Sequence, residues 1–103
     1  MTSTKLKILD IAMNLNRVGN FAADGYDIKQ KRIKIFLNQT SEYIDSLSIK
    51  DLPDSFKRTY LNFLNQYKYL KKEGLSGPKN ELEWAEKMMT WGNILTHRAN
   101  LIK

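Results

Sequence analysis

His97 is the only histidine in the chain, and no cysteine accompanies it. A histidine acts as a general base or relay when a nucleophile and an orienting acid stand beside it. One helical turn to either side of His97 the neighbours are Asn93 and Asn100, neither of them an acid. His97 therefore reads as a polar or interfacial side chain near a helix end. Glu83 and Glu86 stand three apart, as do Asp24 and Asp27 around Gly25. The glutamates lack the Glu-x-x-His partner of a bundle metal site, and the aspartates lack the further oxygen ligands of a calcium loop. Both pairs read as capping or solvated side chains. Gly74 and Gly77 lead into Pro78 and Lys79, not into the Gly-Lys-Ser or Gly-Lys-Thr that cradles phosphate. Asn38-Gln39-Thr40 fits a glycosylation triplet but falls within a helical stretch. The expectation is a protein that is not an enzyme, with no catalytic residue, metal or cofactor.

Two binding patterns compete. Lys29, Lys31, Arg32 and Lys34 form one basic group, and Lys68, Lys71 and Lys72 form another. On one surface they would neutralise several phosphates. Arginine, the forked donor that base readout favours, occurs only four times, and acids are scattered throughout. Nucleic acid is therefore the alternative partner. The leading pattern is apolar: Trp84, Met88, Trp91 and Leu95 recur at helical spacing, flanked by Ala85, Met89, Gly92, Thr96 and Ala99. The arc is wider than one neighbouring helix needs, and Trp and Met are enriched at interfaces. Trp84, Met88, Trp91 and Leu95 are the expected anchors for a protein partner or a second copy, with Arg17, His97 and Arg98 as polar contacts. Either tryptophan taken alone, at such spacing, is more often part of a core.

The elements that would carry these residues are helices. Ile8, Ala12, Leu15, Gly19, Ala22 and Tyr26 make one stripe at spacings of four and three. Ser3 or Thr4 is placed to cap its start. Gly19, Ala22 and Ala23 form a smooth patch for close approach of a neighbour. A second apolar set runs through Ile28, Ile33, Phe36, Leu37, Tyr43, Ile44 and Leu47. Either Gly25 separates the two sets, or one helix of about 64 Å carries both; a break is favoured. Ser48 to Pro53 reads as a connector, with Pro53 suited to the first turn of a helix. Phe56, Tyr60, Phe63, Leu64, Tyr67 and Leu70 make the next stripe, which Gly74 is expected to end. Asn80 and Glu83 match a capping box for the last helix, and Glu81 suits its positive start.

The 103 residues fit one domain, residues 1–103. The fold expected is all-α, an antiparallel bundle of three or four helices. The net charge is +6, which permits acidic partners. The absence of cysteine fits a reducing compartment. Neither a signal-like apolar start nor a membrane-length apolar run is present, so the expected setting is soluble and cytoplasmic, away from membranes. Residues 12–20 (AMNLNRVGN) with 22–24 (AAD), and residues 84–86 (WAE) with 90–99 (TWGNILTHRA), resemble the opening and ending of short uncharacterised all-helical proteins of cyanobacteria. That resemblance implies no activity. It points to Asn14, Arg17, Asn20, Asp24, Asn93, His97 and Arg98 as polar residues of interest, or as groups that satisfy one another between the first and last helices.

Overall fold

The computed structural model describes residues 3–102. Three α-helices carry nearly all of them: α1 (Thr4–Asp45), α2 (Asp54–Ser76) and α3 (Glu81–Asn100), with a short 3-10 turn at Ile49–Asp51. No strand occurs among the described residues.

A straight helix as long as α1, 42 residues, would span about 63 Å. The longest dimension of the molecule is 39 Å, so α1 must fold back on itself. It does so at Gly25, the one residue within it whose angles are non-helical, φ 142° and ψ 101°. A side chain is disfavoured in that region, and glycine is not. Two contacts show the reversal. Asn14 Nδ2 donates to Gln39 Oε1 at 3.0 Å, and Lys7 Nζ donates to the Ser46 carbonyl at 2.9 Å. The break expected at Gly25 is therefore present, and α1 consists of a first arm, residues 4–24, and a second arm, residues 26–45.

The four rods run up and down in turn. The second arm lies beside α2, where Tyr67 donates to the Leu37 carbonyl at 2.8 Å. Helix α2 lies beside α3, where Trp84 Nε1 donates to the Leu70 carbonyl at 3.0 Å. Helix α3 returns to the first arm, its most extensive packing being against α1. There Gly19 faces the Ala85 carbonyl closely enough that an added Cβ would stand 2.9 Å from it. Of the expected smooth patch, Gly19 and Ala22 serve this approach, while Ala23 is exposed.

Each rod gives its apolar stripe to one core. Ile8, Ile11, Leu15 and Val18 come from the first arm, and Ile33 and Leu37 from the second. Phe56, Tyr60, Phe63 and Tyr67 come from α2, and Trp84, Met88 and Leu95 from α3. Burying one such side chain is worth about 1.5–3 kcal/mol. Among the described residues Asn14, 2% exposed, is the one buried side-chain amide, and Gln39 supplies its partner. Ile28 departs from the apolar set expected of the second arm: it is 84% exposed, beside the turn at Gly25.

The helix ends follow their capping chemistry, with one correction. Ser3 Oγ accepts from Leu6 N at 3.1 Å, and Asn80 Oδ1 accepts from Glu83 N at 2.9 Å. The Glu81 carboxylate reaches outside its own helix and accepts from Tyr26 N at 2.9 Å, capping the second arm just after the break. Gly74 does not end α2. The helix continues to Ser76, and the left-handed residue is Gly77, φ 100°. Gly74 is buried in the helix because Trp84 and Leu37 occupy the space its side chain would need.

Candidate functional site

The wide apolar arc of α3 has two neighbours to satisfy, the first arm on one flank and α2 on the other. That accounts for its width and corrects part of the anchor set. Trp84, Met88 and Leu95 are at most 1% exposed within a single chain. Side chains with no accessible surface cannot be contact anchors of the folded protein. Trp84 stands edge-on to Tyr26, ring centroids 6.5 Å apart, and its indole N–H is already bonded.

Trp91 is different. It is half-buried, with one side of its ring packed against Phe63 at 5.6 Å between centroids. It lines two shallow grooves along the α2–α3 seam. The first, about 350 Å³, lies among Gln66, Leu70, Glu83, Glu86, Lys87 and Thr90. The second, about 540 Å³, lies among Thr59, Asn62, Asn93, Ile94, His97 and Arg98. Trp91 is thus the shared wall of one polar-rimmed strip, and three of the expected contact residues, Trp91, His97 and Arg98, meet there.

Arg17 is not among them. Its guanidinium lies 5.5 Å over the Phe36 ring, between the two arms of α1. The same seam holds Phe21, 5.9 Å from Phe36, with Lys29 Nζ over it at 5.5 Å. The two lysine groups also stand apart. Lys29 turns toward the first arm, whereas Lys71 donates to Ser41 Oγ at 2.7 Å on the α2 side of the second arm. Lys68 lies over the exposed ring of Tyr69, and it shares a shallow groove with Lys71 and Asp45. Lys31, Arg32 and Lys72 are exposed and Lys34 is half-buried.

Reading the sequence missed the α2 wall of the strip. Thr59, Asn62 and Gln66 are ordinary polar residues, and only their position opposite Trp91 marks them. Glu83 and Glu86 were expected as capping and solvated groups. Glu83 does pair with Lys87 at 3.5 Å, while Glu86 is exposed at the rim. Among the described residues no three histidine, aspartate or glutamate side chains gather as a metal ion would need. No described helix is long and apolar enough to cross a membrane. The two segments that carried the cyanobacterial resemblance pack together, with Asn16 against Gly92. Comparison with known protein families, curated proteins and solved structures finds no match.

Proposed function

We propose that this chain is a non-enzymatic interaction module that receives a protein partner along the α2–α3 strip. The observation that carries this reading is the position of Trp91, a half-exposed indole shared by two adjoining grooves. Large aromatic side chains in partly enclosed, polar-rimmed settings dominate binding energy at protein interfaces. Phe63 holds the ring from behind, so little rotamer freedom is left to lose on binding. Thr59, Asn62, Gln66, Thr90 and Asn93 supply hydrogen-bonding groups around it.

The test uses immobilised chain and measures capture of proteins from a native lysate, or of the free chain itself. Trp91→Ala removes the anchor. Thr90→Arg leaves the core untouched, since Thr90 is exposed, and blocks the strip by bulk and charge. Both should reduce capture more than about tenfold, the scale of an interface hot spot. Circular dichroism confirms that the variants fold. Capture unaffected by Thr90→Arg would refute the assignment of this face.

A further inference from the structure

We propose that the partner is a second copy of this chain, its α3 lying antiparallel on the first α3 across a twofold axis beside Trp91; this rests on the binding face argued above. The face is net negative at one end, where Glu83 and Glu86 outnumber Lys87, and carries the positive charge of Arg98 at the other. Glu83 and Glu86 stand eight and five residues before Trp91, and Arg98 and His97 stand seven and six after it. In an antiparallel pairing centred on Trp91, residues equally far from the centre face one another. Glu83 then meets Arg98 of the second copy, and Glu86 meets His97 of the second copy, each within one residue of register, or about 1.5 Å.

Several observations make the pairing self-complementary. Glu83, Glu86, His97 and Arg98 are all exposed. Among the described residues the only ion pairs are Lys57–Asp54 and Lys87–Glu83, so Glu86 and Arg98 carry charges with no ionic partner. Between the two charged ends lie the half-buried side chains of Trp91 and Ile94. An interface in which the same patch meets itself closes as a dimer and leaves no free end for further growth. Opposite charges at the two ends select the antiparallel orientation, because a parallel pairing would set like charges together.

The experiment is sedimentation equilibrium at low salt on the wild type, Glu83→Arg and Arg98→Glu, each alone and then the two variants mixed. The wild type should have twice the chain mass of 12.0 kDa. Each variant alone sets like charges face to face, so its dimerisation should weaken more than about tenfold. The equimolar mixture restores both opposite-charge pairs in one heterodimer and should recover the dimer mass. Both positions are exposed, and unchanged ellipticity confirms folding. A wild type that stays monomeric overturns the proposal, as does a dimer indifferent to both reversals or a mixture that does not recover. If lysate capture still depends on Trp91 while the wild type is monomeric, the binding face stands and its occupant is another protein. If capture is also lost, both readings fail.

Discussion

A methyl group at position 74 would have nowhere to go. The Cβ of Gly74→Ala would run into the Trp84 ring and stand 2.8 Å from Leu37 Cδ1. The indole cannot easily retreat, because its N–H is tied to Leu70 and its ring meets Tyr26 in an edge contact. Alanine normally gains about 1 kcal/mol over glycine in a helix; here overpacking costs about 1–3 kcal/mol. The net expectation is a lower denaturation midpoint in urea for Gly74→Ala. Two buried tyrosines of α2 make a sharper contrast. Tyr67 donates to Leu37, whereas the Tyr60 hydroxyl is buried with no protein partner. Tyr67→Phe should cost about 1 kcal/mol, the net worth of a hydrogen bond. Tyr60→Phe should be neutral or stabilising, since it removes a polar group whose desolvation nothing offsets. Equal losses in paired unfolding titrations would show that Tyr60 has a hydrogen-bonding partner in solution.

At the scale of elements, the hairpin in α1 depends on one residue. Gly25→Ala places a Cβ at φ 142°, which costs about 1–3 kcal/mol while the turn persists. The relaxed alternative is a continuous helix whose second half packs into another molecule, a domain swap. The expectation is reduced monomer stability together with a swapped dimer, resolved by gel filtration followed by unfolding. This turn also marks how far the sequence was legible. The stripes of all four rods could be read from spacing, because an apolar face must recur every three to four residues to be buried. The consequence of Gly25 could not be decided locally, since helical sequence lies on both sides and only the compact dimensions exclude a straight rod. Gly74 was expected to end α2, and the local sequence does not show otherwise; the reason it lies inside the helix is Trp84, which fills the space at Gly74. For the candidate site, Trp91, His97 and Arg98 were legible on α3. Trp84, Met88 and Leu95 were indistinguishable from them, because an arc that serves two core neighbours has the same width as one serving a core and a partner.

For the molecule as a whole, the buried tyrosines couple folding to alkaline pH. Tyr60 and Tyr67 have pKa values raised from 10.0 to about 12. Burial is the main cause for both. The charge of Asp45 adds to it at Tyr60, and the hydroxyls of Ser41 and Thr40 partly offset it at Tyr67. Tyr26 is shifted the same way, again chiefly by burial. In the unfolded chain these phenols ionise near 10, while in the bundle they hold their protons longer. Between about pH 10 and 12 the unfolded state therefore binds fewer protons, and stability falls as pH rises. Below pH 10 this contribution is fully retained. Each of Tyr60 and Tyr67 can remove up to about 1.4 kcal/mol per pH unit across that window. Against a total of about 5–15 kcal/mol for a domain, the pair takes away a substantial share of the bundle's stability and moves it toward alkaline unfolding. Loss of helical ellipticity should coincide with the late phase of tyrosinate absorbance. The Tyr60→Phe/Tyr67→Phe double variant should carry its helix to higher pH relative to its own stability at neutrality. Tyrosinate absorbance that completes near the ordinary phenol pKa of 10.0 while ellipticity is unchanged would mean that both rings reach solvent without the bundle opening, and the burial of the α2 stripe would have to be abandoned.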